Sequence, residues 1–157
     1  MLVPTFIAQA EKPAPSLTGT TTYDFVGHLG TFDADGRLLV WKGTVSGDNI
    51  NGVMLWWFDM PTKEVGQTTH FVGRWEIWTS DPPILGGTGS LLLAGDEAGT
   101  TTVRHGKNSI WRANGTVTEA SLEFFEWIGR NIHDGGDVDW GAPPEIFPSG
   151  SGEFRIN

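Results

Sequence analysis

The chain has 157 residues, enough for one domain around one core, and a formal net charge of −9 from 10 Lys and Arg against 19 Asp and Glu. That balance excludes nucleic acid and anionic membrane surfaces as partners. With no cysteine, disulfides and thiolate chemistry are excluded as well. Glycine is abundant at 22 residues and tryptophan at 8, and aromatic-rich runs between Gly-rich turns point to an all-β domain. No apolar run reaches the ~18–20 residues of a membrane-spanning helix. The N-terminal "MLVPTFIAQAEKPAP" has no basic start and too short an apolar part for a secretory signal, so the cytoplasm is favoured, with export as the alternative.

Residues 1–17 read as an extended arm, because "EKPAPS" places two prolines in six residues. Residues 18–157 read as a single domain of strands and turns. "TTTYDFVGHL" is β-branched and aromatic, "DADG" (33–36) marks a turn, and "RLLVWKGTVSG", "DNING" and "VMLWWFD" continue as strand, turn and strand. "MPTKEVGQ" is a loop. "TTHFVGRWEIWTS" is the best single strand, and "DPP" breaks it. "SLLLAG", the Gly-flanked acidic turn "DEAG", "TTTVRHG", "SIWRANGTV", "ASLEFFEWIGRNI" and "GEFRIN" complete the series.

"TEASLEFFEWIGR" also fits a helical period, with Leu122, Phe125 and Ile128 opposite Glu119, Glu123 and Glu126. An internal echo favours a strand. "DGRLLVWKGTVSGD" (35–48) aligns with "HGKNSIWRANGTVTEA" (105–120), placing Val40-Trp41-Lys42 on Ile110-Trp111-Arg112, and each copy runs into an aromatic segment. Two similar halves suit a barrel, although β-proteins also reuse turn chemistry. About nine strands in one domain predict a single antiparallel β-barrel, with a β-sandwich as the alternative. Met54, Trp56 and Phe58 alternate with Leu55 and Trp57, so both faces of that strand need cover, from a lumen or from a subunit contact. A homo-oligomer, dimer or trimer, is expected on that ground.

"PPILGGTGSLLLAGDEAGTTT" (82–102) poses a separate question. A P-loop needs a Lys after its glycines, and none follows here. A dinucleotide fingerprint needs a third glycine where Leu92 stands. The glycines therefore serve turns and close strand approach. In this stretch Ile84, Leu85, Gly86, Gly87, Thr88, Gly89, Leu91 and Ala94 fall in register with the GGTG segment of the dirigent proteins and allene oxide cyclases, and the sequence resembles that group over about 15 residues. The resemblance implies an eight-stranded antiparallel barrel, often trimeric, whose apolar lumen steers or cyclises a reactive hydrophobic intermediate without a cofactor. It carries over no catalytic residue: the chain runs on for about 60 residues past the motif, and 107–128 has no counterpart.

Candidate chemistry is read from the residues themselves. Along "THFVGRWEIWTS", alternation puts His70, Arg74, Glu76 and Trp78 on one face. On a barrel wall, Arg74 would hold an anionic or carbonyl oxygen while Glu76 or His70 moved a proton. The competing reading is a solvent-exposed ladder of ion pairs. Tyr23, the only tyrosine, is a candidate proton donor or acceptor beside Asp24 and His28, or a packed ring with its hydroxyl at the rim. "HDGGDVDWG" (133–141) offers oxygen ligands that would suit calcium but lacks the EF-hand spacing, so an acidic hairpin loop is preferred. The histidines lie too far apart for a zinc motif. No metal and no cofactor is expected.

The tryptophans either fill a core, line an apolar pocket, or stack on sugars. The leading expectation is a cofactor-independent cyclase, isomerase or lyase acting on a small, largely hydrophobic molecule. His70, Arg74, Glu76 and Tyr23 would be its polar groups, and Trp41, Met54, Trp56, Trp78 and Phe124 its walls. The alternatives are a carbohydrate-binding module with exposed Trp and a lipocalin-like carrier of an apolar ligand. Which strand face points inward is left open, since a slip of one residue exchanges every assignment.

Overall fold

The computed structural model describes residues 15–32, 36–59, 66–104, 108–139 and 148–157, with side chains at all of these except 27–32, 36–39, 59 and 103. Among the described residues there are eight strands: β1 (Leu17–Phe32), β2 (Gly36–Gly47), β3 (Asn51–Asp59), β4 (Thr68–Trp78), β5 (Leu91–Val103), β6 (Asn108–Ala120), β7 (Asn131–Asp139) and β8 (Ser149–Ile156). They form a closed antiparallel barrel in which each strand pairs with the next and β8 returns to β1. The architecture is thus the barrel rather than the sandwich. The "DADG" turn, the "MPTKEVGQ" loop, most of the N-terminal arm, the His28 side chain and Trp140 lie wholly or mostly outside the described residues.

Alternation decides which face is inward. On β4 the side chains of Thr69, Phe71, Trp75 and Ile77 are buried, and those of Thr68, His70 and Val72 are exposed. Pairing carries that parity round the wall: Trp75 lies opposite Trp56 on β3, and Trp56 opposite Trp41 on β2. An eight-stranded barrel has an interior just wide enough for side chains to fill. Here Leu17, Val45, Met54, Ile77, Leu93, Val117, Ile132 and Ile156 form one end of the filling, and Trp41, Trp56, Phe71 and Trp111 lie in the other half. Burying each large apolar side chain contributes about 1.5–3 kcal/mol. Bulky rings also require bare wall opposite them. A Cβ at Gly150 would overlap the Tyr23 ring and the Asp137 carbonyl, so only glycine fits there.

Three segments differ from the sequence reading. "DEAG" is no turn: β5 runs unbroken through it, with Glu97 pointing into the barrel. The acidic segment at 133–139 is strand β7 and not a hairpin loop, with Ile132, Asp134 and Val138 buried. "LEFFEW" is a 3₁₀ helix, Leu122–Trp127, instead of a strand, which reduces the count from nine to eight. A strand would aim Phe124 and Trp127 at opposite faces. Three residues per turn puts both on one ridge and buries both, while Leu122 and Phe125 stand 95% and 66% exposed. The Arg130 guanidinium stacks over the Trp127 ring at 5.1 Å.

The GGTG segment lies in the β4–β5 connection. A 3₁₀ turn at Pro83–Leu85 is stopped by Gly86 in the left-handed region, φ 81°. Gly87 donates to the Pro82 carbonyl at 3.1 Å and Gly89 to the Asp81 carbonyl at 2.9 Å. A Cβ at Gly87 would overlap the Asp81 backbone. These glycines serve close backbone approach, and no helix follows to present amides to a phosphate.

Candidate functional site

The half of the lumen toward the β1–β2, β3–β4, β5–β6 and β7–β8 connections holds an apolar pocket lined by Tyr23, Trp41, Trp56, Phe58, Phe71, Thr101, Trp111 and Val138. The cavity between these side chains is small, ≈ 40 Å³. Tyr23 is the hub of the pocket. Its ring meets Trp56, Trp41 and Trp111 edge-on, at 5.2, 5.7 and 6.2 Å between centroids. Its hydroxyl accepts from Trp111 Nε1 at 2.5 Å, and shares its proton between the carbonyls of Asp137 at 2.9 Å and Ser151 at 3.2 Å. Burial raises the Tyr23 pKa, and the hydroxyl stays a neutral phenol committed to these partners.

Beneath the pocket lie two buried carboxyls, Glu97 on β5 and Asp134 on β7, 5% and 9% exposed. They flank β6, where Glu97 pairs with Gly115 and Asp134 with Ala113. The two carboxyls interact with each other and have no other side-chain partner, and the buried indole nitrogens of Trp56 and Trp75 are unpartnered. Burial, then the neighbouring Asp134 charge, pushes Glu97 well above the usual carboxylate range. Burial raises Asp134 to about 6, opposed by its interaction with Glu97. Two like charges in one dry space cannot both ionise cheaply, so the pair holds a proton near neutral pH.

The other predicted site residues divide between inside and outside. Tyr23, Trp41 and Trp56 line the pocket. Met54 is fully buried on the same inward row, and Phe124 is buried on the 3₁₀ helix, but neither lines the pocket. His70, Arg74, Glu76 and Trp78 lie on the outer face, so the polar lumen wall expected from them is not formed. Arg74 is instead enclosed by carboxylates. Nε meets Glu76 Oε1 at 3.1 Å, Nη2 meets Glu119 Oε1 at 2.7 Å, and Nη1 lies 3.7 Å from Asp96 Oδ1. Trp78 Nε1 donates to Glu76 Oε2 at 2.8 Å, which satisfies the carboxylate from the other side. Nor does β7 supply a calcium site: Asp134 points inward, His133 and Asp137 outward. Among the described residues no group of three or more His, Asp or Glu side chains could hold a metal ion.

Glu97 and Trp111 are functional candidates that the sequence does not single out, and Asp134 stands out there only as a possible calcium ligand in 133–141. Their signal was alternation: Leu93, Gly95, Glu97, Gly99 and Thr101 form one inward row, and Ile132, Asp134, Gly136 and Val138 another. In the 35–48/105–120 echo, Trp111 corresponds to Trp41, and both rings reach Tyr23.

No protein-family profile matches the chain, and no curated protein or solved structure is detectably similar to it.

Proposed function

We propose that the protein binds a small, largely apolar organic molecule in the aromatic half of its lumen. The supporting observation is the pocket itself: six aromatic side chains converge on one unfilled space within a closed barrel. The carbohydrate alternative needs exposed tryptophans. Of the seven described, Trp41, Trp56, Trp75, Trp111 and Trp127 are buried, and Trp57 and Trp78 are half-buried.

Tryptophan fluorescence during titration with a neutral single-ring compound, run beside soluble oligosaccharides, tests the reading. Saturable change with the ring compound alone supports it. A response to the sugars alone discards it.

A second reading, a cofactor-independent isomerase or cyclase, is favoured by one observation, the proton-holding carboxyls Glu97 and Asp134 below the pocket. In that reading the barrel fixes the substrate conformation and the pair gives or takes the proton. Turnover that persists in a Glu97→Gln, Asp134→Asn double variant would rule it out.

A further inference from the structure

We infer that the outward side of the 3₁₀ helix Leu122–Trp127 docks a cationic amphipathic helix of another protein, with the partner's apolar stripe on Leu122, Phe125 and Ile128 and its basic groups on Glu123 and Glu126. This surface lies outside the lumen, and the inference stands whether or not the pocket takes a ligand.

The first support is where the exposed apolar side chains gather. Among the described residues six large hydrophobic side chains are exposed, and four of them, Ile84, Leu122, Phe125 and Ile128, belong to the β4–β5 and β6–β7 connections. Both connections lie at one end of the barrel, beside the start of β5, where Ser121 donates to the Leu92 carbonyl at 2.9 Å. Single exposed hydrophobics are ordinary on a protein surface, whereas several gathered at one end mark a contact surface.

The second support is the shape of the helix. Three residues per turn divide it into three ridges. Phe124 and Trp127 form the buried ridge, Glu123 and Glu126 an exposed acidic one, and Leu122 and Phe125 an exposed apolar one that Ile128 continues at the C-cap. Leu122 to Ile128 is six steps of about 2 Å, so the apolar ridge runs about 12 Å, the length of two turns of a partner α-helix. The ridge is also fixed in place. Gly129 donates to the Val117 carbonyl and Val117 to the Arg130 carbonyl, each at 2.9 Å. A surface already held in this way loses little freedom on binding.

The third is charge. Among the described residues the Glu123 and Glu126 carboxylates have no ion-pair partner, since Arg74 holds Glu119 and the Arg130 guanidinium lies over the Trp127 ring. A partner with Lys or Arg flanking its apolar stripe meets both exposed ridges at once. A second copy of this chain would bring acidic ridge to acidic ridge with a net charge of −9 on each side, and an anionic lipid surface would be repelled in the same way.

The test uses a dye-labelled helical leucine–lysine peptide, and the same peptide with Glu in place of Lys, in anisotropy titrations at near-physiological ionic strength. The Lys peptide should bind the wild type at least tenfold tighter than the Glu peptide. The Leu122→Ser, Phe125→Ser double variant should weaken it at least tenfold, and Glu123→Lys, Glu126→Lys should reverse the preference, with unchanged thermal melts as evidence that the barrel is intact. No binding of the Lys peptide, or binding that both double variants leave unchanged, overturns the inference, since the attraction would then be to the acidic chain as a whole. Self-association in sedimentation that Leu122→Ser, Phe125→Ser abolishes would assign the ridge to a second copy and overturn it. So would binding to phosphatidylcholine vesicles lost in the same variant, which would assign the ridge to a lipid surface. Should a variant not fold, the wild type decides: the Lys peptide should shift the backbone amide signals of residues 121–129, and shifts confined to other parts of the barrel overturn the inference.

Discussion

At the scale of single residues, Tyr23 and the two buried carboxyls illustrate opposite solutions to burying polar atoms. The Tyr23 hydroxyl has a donor in Trp111 and acceptors in two β-strand carbonyls, all satisfied at once. Tyr23→Phe strands the Trp111 N–H and should cost roughly 1–3 kcal/mol in denaturant unfolding, with the pocket's shape preserved. Glu97 and Asp134 have only each other as side-chain partners in a dry interior, and that has a pH signature. Their folded pKa values lie above the unfolded ones, so the folded state binds protons more tightly. The resulting stability is fully present below the unfolded values and is lost as pH rises through the folded ones. For Asp134 the window runs from 3.8 to about 6, and for Glu97 it extends higher. The linkage amounts to ~1.4 kcal/mol per unit of displacement. Asp134→Asn and Glu97→Gln should therefore gain stability relative to the wild type as pH rises from 4 to 7, by thermal melts across that range. A difference that stays flat or reverses sign would contradict the burial of ionisable carboxyls.

At the scale of elements, the two strands that carry these carboxyls were the hardest to read. In "LLLAGDEAGTTTV" a Gly-Asp-Glu-Ala-Gly cluster has the composition of a turn, and in "NIHDGGDVD" two adjacent glycines and three acids do the same. Tertiary closure overrides those cues. A barrel wall admits glycine where a neighbouring ring needs room, and it keeps strand geometry through residues that would break an isolated hairpin. β4 was legible because its alternation is unbroken and ends at a double proline. The 3₁₀ helix is hard to read for a different reason: its period of three falls between that of a strand, 2.0, and that of an α-helix, 3.6. That helix gives an element-level prediction. Phe124→Ala or Trp127→Ala should destabilise by about 3–5 kcal/mol, whereas Leu122→Ser, on the exposed ridge, should change stability by no more than ~0.5 kcal/mol. The opposite kind of substitution tests the wall: Gly150→Ala should destabilise the barrel by overpacking Tyr23, by about 1–3 kcal/mol.

At the scale of the whole molecule, closure of the sheet separates an inner and an outer chemistry that sequence alternation left exchangeable. Composition, turn spacing and aromatic runs were enough to indicate a barrel, but the parity of one strand decides whether His70, Arg74 and Glu76 or Phe71, Trp75 and Ile77 line it. The longest apolar side chains win that choice, because the interior of an eight-stranded barrel must be filled. The polar row is then free to form its ion-pair network outside. Arg74→Ala should cost at most ~1 kcal/mol of stability, discounted because its partners Asp96 and Glu119 are exposed, and should leave the affinity of a lumen ligand unchanged. Parallel unfolding and binding titrations check both halves of that statement.

The central claim is that a small molecule enters the aromatic half of the lumen, and the indole N–H resonances test it most directly. Titrating a single-ring compound while following the assigned tryptophan N–H signals should shift Trp111, Trp56 and Trp41, leaving Trp78 and Trp127 in place. Shifts confined to Trp57 and Trp78 on the outer face, or none at all, would contradict a ligand-binding lumen.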